Sequence, residues 1–260
     1  MIIDLHSHLL PGVDDGAQNE ADTLALAREA VQEGVEHSVI TPHHLNGQYV
    51  NPAASVVEKT EQLQALYDAH GIALKVYPGQ EIRLTEAFLD ELYSGNLLSL
   101  DGGGLYYLVE MPTLTVPDFA YETLSVLVEQ GSIPIIAHPE RNKVFMSDLN
   151  YYQEFIELGC LGQLTTSSYI GNFGEEFRAV SKQMIERNLV HIFSSDAHSV
   201  EWRSFHFQAA YRLMEEEYGS EQVDIYKQRS RAIINGQTFA KPEVIAAPRR
   251  KKWSFNFFRK

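Results

Sequence analysis

The chain has 260 residues, an ordinary globular composition and a net charge of −14, a length that suits one large core and at which α/β barrels run as single domains. No run of about 18 apolar residues is available to span a bilayer, and the N-terminus lacks a basic region followed by an apolar stretch and a cleavage site, so the expected location is cytoplasmic. The single cysteine, Cys160, excludes an internal disulfide framework.

Residues 2–5 read as a short buried strand. Alternate strand residues share a face, so Asp4, His6 and His8 are expected to point the same way, and the turn PGVDDG follows with Asp14 and Asp15. A helix over 19–33 ends at Gly34. The strand at 37–41 runs into VITPHH, which carries His43 and His44, and a helix over 54–69 is closed by His70-Gly71. The strand at 73–77 leads to VYPGQEI with Glu81, then a helix over 85–93, a strand at 105–110 and a helix over 118–130. The strand at 133–137 opens into HPER with His138 and Arg141, followed by a helix over 149–158, a strand at 162–166 and a helix over 174–187. The last strand, 190–194, precedes SSDAHS with Asp196 and His198, and helices over 205–218 and 221–235 complete a domain spanning residues 1–240. Residues 241–260 form a separate tail. Its last twelve residues, RRKKWSFNFFRK, hold six Lys/Arg and no acid, leaving residues 1–248 with 15 basic against 35 acidic side chains, a net of −20. An acidic body has no footprint for nucleic acid. Bases interleaved with Trp253, Phe255, Phe257 and Phe258 suit peripheral contact with an anionic membrane or an acidic partner, the plainer alternative being a solubilising end.

The alternation of about seven strands with helices predicts a parallel sheet wound with helices. A closed barrel fits better than an open sheet, because polar residues stand just beyond the C-terminal ends of nearly every strand, where a barrel gathers its active site. No Gly-rich phosphate loop follows the first strand, which removes dinucleotide and Walker-type readings. His6, His8, His43, Glu81, His138, Asp196 and His198 would converge at one mouth. Imidazole nitrogen with carboxylate oxygen, and no thiolate, suits manganese, iron or zinc. So many donors oversupply one ion, and two or three ions bridged by carboxylates are expected. His37, His70, His191 and His206 read as ordinary hydrogen-bonding residues, and His44 points away from His43 if the strand continues. Cys160, in ELGCLGQL, has no nearby Arg or anion-cradling loop and reads as a small buried hydrophobe.

DLHSH, TPHH, the isolated Glu81, HPER and DAH together resemble the polymerase and histidinol phosphatase (PHP) superfamily. The opening PGVDDG, HPER and Arg203, five residues after His198, resemble more narrowly the manganese-dependent bacterial protein-tyrosine phosphatases of capsule and exopolysaccharide operons. The resemblance covers about residues 1–240 and implies a distorted (β/α)7 barrel with a trinuclear Mn²⁺ site. Carried over, it implies that His6, His8, Glu81 and Asp196 surround one metal. Glu81 would bridge to a second that also takes His138, while Asp15, His43 and His198 serve the third. Asp4 and Asp14 would orient ligands, and Arg141 and Arg203 would hold phosphate. Departures are small: Gln80 stands where Asn is frequent, and Trp202 sits beside Arg203.

That family's chemistry is hydrolysis of phosphotyrosine by a metal-bridging water, with His43, His198 or a metal-bound water as alternative proton donors to the leaving phenolate. The implied substrate is the Tyr-rich tail of a membrane-associated bacterial tyrosine kinase. Three rivals remain. A histidinol phosphatase would share the metals. An amidohydrolase would add a carboxylated Lys at a strand end, which is absent, the nearest being Lys143 just past HPER. A non-catalytic adaptor would not need a full donor set.

Overall fold

The computed structural model describes residues 1–246. The elements, in chain order, are β1 (Ile2–Ser7), α1 (Glu20–Gln32), β2 (Val35–Ile40), β3 (His43–His44), α2 (Ala53–Ala69), β4 (Lys75–Pro78), β5 (Glu81–Arg83) and α3 (Phe88–Tyr93). They continue with β6 (Tyr106–Glu110), α4 (Ala120–Glu129), β7 (Ile133–Ala137), a 3₁₀ turn (Pro139–Arg141), α5 (Lys143–Ser147), α6 (Leu149–Leu158), β8 (Leu161–Thr165) and α7 (Thr166–Tyr169). The last are α8 (Glu175–Glu186), β9 (Ile192–Ser194), α9 (Phe207–Tyr218) and α10 (Ser220–Ile234). The basic stretch 249–260 lies outside the described residues.

Every strand pairing is parallel, as βα alternation requires. The strands form two sheets, ordered β1-β2-β4 and β3-β5-β6-β7-β8-β9. The expected strand at 37–41 stops at Ile40 and resumes as β3, because Pro42 between them has no amide hydrogen to donate to a ladder. The strand at 73–77 is likewise continued by β5 across Gly79-Gln80. Gly79 permits this close passage, since a Cβ there would lie 2.6 Å from Val39 Cγ1. At the far side, a parallel bridge joins Ser7 to Ala197, His8 N donates to Ala197 O at 2.9 Å, and Asp196 N donates to His6 O at 2.9 Å. The parallel sheet therefore curls until β1 meets the chain beyond β9, within one α/β domain.

Two apolar layers hold this shape. Ile3, Leu5, Val39, Leu108, Ile135, Leu161 and Ile192 form one buried cluster drawn from the strands. Leu26, Leu63, Leu124, Phe155, Met184 and Met214, from the helices, belong to the larger cluster. Burying one such side chain is worth about 1.5–3 kcal/mol. The helix ends follow local chemistry: Asn19 caps α1 by accepting from Asp22 N, and Asn142 caps α5.

One expectation changes. β1 does not keep strict alternation: its register against β2 runs Asp4 to Ser38 and then Ser7 to Ile40, three residues against two. This bulge lets the strand change face between Asp4 and the histidines. The Asp4 carboxylate bonds His6 N, Ser195 N and Ser195 Oγ instead of joining the histidines' donor atoms.

Candidate metal centre

Each strand end delivers its donor by a local device. His6 and His8 close β1. Gly16 allows the PGVDDG turn to fold back onto them, since any Cβ there would lie 2.2 Å from His8 O, and Ala17 N donates to that oxygen at 3.1 Å. His43 begins β3 opposite Glu81 of β5. His138 and Asp196 follow β7 and β9 in left-handed backbone (φ 33° and 53°), which turns the chain sharply at the strand end.

Three groups of donor atoms result, each within 4.8 Å of one another: His6, His8, Glu81 and Asp196; His8, Asp15, His43 and His198; and His43, Glu81 and Glu110. His6 Nε2 lies 3.1 Å from His8 Nε2 and 3.3 Å from both Glu81 Oε2 and Asp196 Oδ1. Asp15 Oδ1 is 3.3 Å from His43 Nε2 and 3.4 Å from His198 Nε2. His138 Nε2 is 2.7 Å from the other oxygen of Glu81. All eight sequence-predicted donors are thus brought together.

The electrostatics follow from crowding these groups out of water. Burial opposes ionisation of Glu81, but the His6 and His43 rings around it outweigh that and hold the carboxyl well below the usual range. Burial also opposes ionisation of Asp196, which the Arg203 and Arg141 guanidiniums reverse. The His198 and His43 rings beside it hold the Asp15 carboxyl low. Burial lowers His43, yet the Glu81 charge and the Asp15 contact carry it up to about 10. Burial, with Arg141 and His8 respectively, pushes His138 and His198 down to about 4, so both offer lone pairs at neutral pH.

These residues fit metal ions by a direct test. His43 Nδ1, Glu81 Oε2, Asp196 Oδ1 and His198 Nε2 are buried and lack a hydrogen bond of acceptable geometry, although His43 Nδ1 lies only 2.8 Å from Glu81 Oε2. Buried polar atoms are rarely left so, and four of them spread over the three donor groups are accounted for by cations held there.

Arg141 and Arg203 both donate to Asp196 Oδ2, on the side away from Oδ1. Both remain partly exposed at the rim, and Arg141 also stands over the Phe173 ring at 5.8 Å. A cavity of about 460 Å³ opens beside Arg203, which lines it together with Asp15, Leu26, His198 and Val200. Trp202 is 85 % exposed.

Two residues escaped the sequence reading. Glu110 ends β6 and reaches the His43 and Glu81 group, and burial with the Glu81 charge pushes its carboxyl up to about 7. Its position at a strand end was the available signal. Gln163 of β8 places Oε1 3.1 Å from His6 Nδ1, the role expected of Asp4. Asp14 places Oδ2 2.8 Å from His8 Nδ1. Gln80, beside Glu81, donates to Asn51 O and accepts from Leu98 N, which holds the β4–β5 junction.

The remaining histidines stay outside the groups. His37 meets Tyr77 OH, His70 meets Leu66 O, His191 accepts from Gly162 N, His206 meets Asn172, and His44 accepts from Asn51 N. Cys160 is fully buried, and burial pushes its thiol up to about 12. Lys143 lies near Glu176 and the Phe177 ring.

Fold and site together define a parallel α/β protein whose strand ends gather nitrogen and oxygen donors able to hold metal. A family model described as capsular polysaccharide synthesis, CpsB/CapC, matches residues 2–235, and the chain belongs to that family. It is 38% identical over 254 residues to the tyrosine-protein phosphatase YwqE of Bacillus subtilis, covering 98% of this chain and 100% of YwqE. It is 29% identical over 243 residues to the tyrosine-protein phosphatase CpsB of Streptococcus pneumoniae, covering 91% and 99%. A crystal structure from work on YwqE and CpsB, described as unique metal-dependent tyrosine phosphatases, superposes with TM-score 0.90 at 38% identity, over 95% of this chain and 100% of that one. A beta-aspartyl dipeptidase of Fervidobacterium islandicum AW-1 shares the fold alone, with TM-score 0.56 at 15% identity over 94% and 75% of the two chains.

Proposed function

We propose that this protein is a metal-dependent protein-tyrosine phosphatase with His6, His8, Asp15, His43, Glu81, Glu110, His138, Asp196 and His198 as its metal donors. The observation that carries the reading is the set of orphaned, buried donor atoms within the three donor groups, beside two rim arginines, in a chain of the CpsB/CapC family. Bound there, divalent ions would supply Lewis-acid polarisation of the phosphoryl group and a water acidified to act at neutral pH. The donor chemistry suits Mn²⁺, in two or three ions, with Fe or Zn as alternatives.

The protein's own groups do the rest. Arg141 and Arg203 present planar forks that match phosphoryl oxygens, and Asp196 Oδ2 holds both in place before substrate arrives. His43, which stands between Asp15 and Glu81, is the candidate to hold the proton that the leaving phenolate takes. We read the nine strand segments as a distorted (β/α)7 barrel of the PHP type, with β2–β3 and β4–β5 each one broken strand, in a domain of residues 1–240 followed by a tail over 241–260. No helix among the described residues is long and apolar enough to cross a membrane, and we place the enzyme in the cytoplasm. Its proposed substrate is a phosphotyrosine protein, a membrane-associated tyrosine kinase of capsule or exopolysaccharide synthesis, with the basic tail touching the anionic membrane surface.

The test is a metal-reconstituted assay on phosphotyrosine peptide, phosphoserine peptide and histidinol phosphate, with and without chelator. Preference for phosphotyrosine, loss of turnover in chelator and full activity of Cys160→Ala are expected. Strong activity in chelator would sink the metal reading, and preference for histidinol phosphate would reassign the substrate.

A further inference from the structure

Gln163, on β8, is fully buried, and its Oε1 lies 3.3 Å from the backbone nitrogen of His138 and 3.1 Å from Nδ1 of His6. A backbone N–H only donates, so the atom it meets must be the carbonyl oxygen of the amide, which settles which way the Gln163 amide faces. That oxygen has no proton to offer. Nδ1 of His6 must therefore carry one, and in a neutral imidazole the lone pair then sits on Nε2. Nε2 is the atom that faces His8 Nε2, Glu81 Oε2 and Asp196 Oδ1.

We infer that Gln163 is a positioning residue of the metal centre: it selects the tautomer of His6 that directs a lone pair from Nε2 into the donor cluster and pins the left-handed backbone of His138 with the same oxygen. The inference rests on the metal-dependent reading above. Its Nε2 has no hydrogen-bond partner, so its oxygen is the only polar end of the amide that is engaged. His8 is backed differently, by the Asp14 carboxylate at 2.8 Å. The two histidines of the H-x-H pair thus have unlike supports, one anionic and one neutral. A carboxylate raises the donor strength of an imidazole more than an amide does, so His6 is the less strongly backed of the two. Gln163 also links donors from two separate strands, since His138 follows β7 and its Nε2 rests 2.7 Å from Glu81 Oε1.

The test uses the full chain stripped of metal and titrated with Mn²⁺ alone, with affinity read by competition against a chelating dye and the metal-free fold checked by thermal unfolding. Gln163→Leu removes the acceptor and is expected to weaken the tightest Mn²⁺ site about 10- to 100-fold. Gln163→Glu keeps the acceptor and adds charge, and is expected to bind Mn²⁺ several-fold more tightly than wild type, on the order of what a carboxylate partner contributes. A purely structural amide would not produce opposite shifts from the two variants. Unchanged affinity in a folded Gln163→Leu, or affinity in Gln163→Glu equal to or below wild type, overturns the inference. Should Gln163→Leu not fold, the Gln163→Glu comparison decides alone. Wild-type protein that takes up none of Mn²⁺, Fe²⁺ and Zn²⁺ overturns the metal-dependent reading itself, a distinct outcome.

Discussion

The Asp14 carboxylate places Oδ2 2.8 Å from Nδ1 of His8 and accepts the backbone N–H of His43 through the same oxygen at 3.1 Å. One side chain from the PGVDDG turn therefore orients a donor just beyond β1 and sets the position of a donor on β3. Asp14→Ala is expected to weaken Mn²⁺ binding about 10- to 100-fold and to lower phosphatase activity in parallel at limiting metal, with activity partly restored at high metal. Dye competition and a metal-dependent rate curve check this; affinity equal to wild type would remove the orienting role.

Arg141 and Arg203 share one oxygen of Asp196. Replacing either by Lys keeps the charge and loses the fork, and is expected to lower kcat/KM on an aryl phosphate about 100-fold, the scale of removing one preorganised donor to developing charge. Because both lean on the same carboxylate, the double variant should lose less than the product of the single losses. Steady-state kinetics with metal content measured in parallel decides it, and strict multiplicativity would argue that the two act independently.

Glu110 is the donor that the sequence reading passed over. Glu110→Gln keeps the size of the side chain and removes the charge that completes the group with His43 and Glu81. The expected outcome is protein that retains one fewer tightly held ion, read by elemental analysis after gel filtration. Unaltered stoichiometry would leave Glu110 as the partner of Arg83, which it meets at 2.9 Å.

His191 makes acid stability testable away from the centre. Its ring is buried and its Nδ1 accepts from Gly162 N at 3.0 Å; burial, with Arg229 and Lys241 nearby, holds it well below the usual histidine range. The unfolded chain takes up this proton near pH 6.5 while the folded chain resists it. The stability His191 contributes is therefore complete above about pH 6.5 and is lost as pH falls toward the folded value. Between pH 7.5 and 5.5, metal-free wild type should lose about 1.4 kcal/mol more than His191→Gln, whose amide oxygen can still accept from Gly162. Urea unfolding at the two pH values measures it, and equal losses would refute the assignment.

Much of the site was legible because its signals are local. His6, His8, His43, His138, Asp196 and His198 each stand within a few residues of a strand, and a donor just beyond a run of Val and Ile announces itself. Glu110 stood in the same position, but a lone acid before Met111-Pro112 forms no motif. Gln163 carried no signal, since an amide inside a strand advertises neither metal nor acid–base chemistry. Asp4 was misplaced because the bulge in β1 depends on how that strand pairs with β2, not on its own alternation.

The sequence by itself determined the βα alternation, the donor chemistry and the strand ends that present it, because periodicity, proline and glycine act over a few residues. Only the tertiary structure decided which donors meet, with Asp196 beside His6 across some 190 residues, which carboxylate turns away from them, and which neutral amide orients His6. Those outcomes depend on strand register and the closure of the sheet. They are set by packing among distant segments, and no short stretch of sequence carries that information.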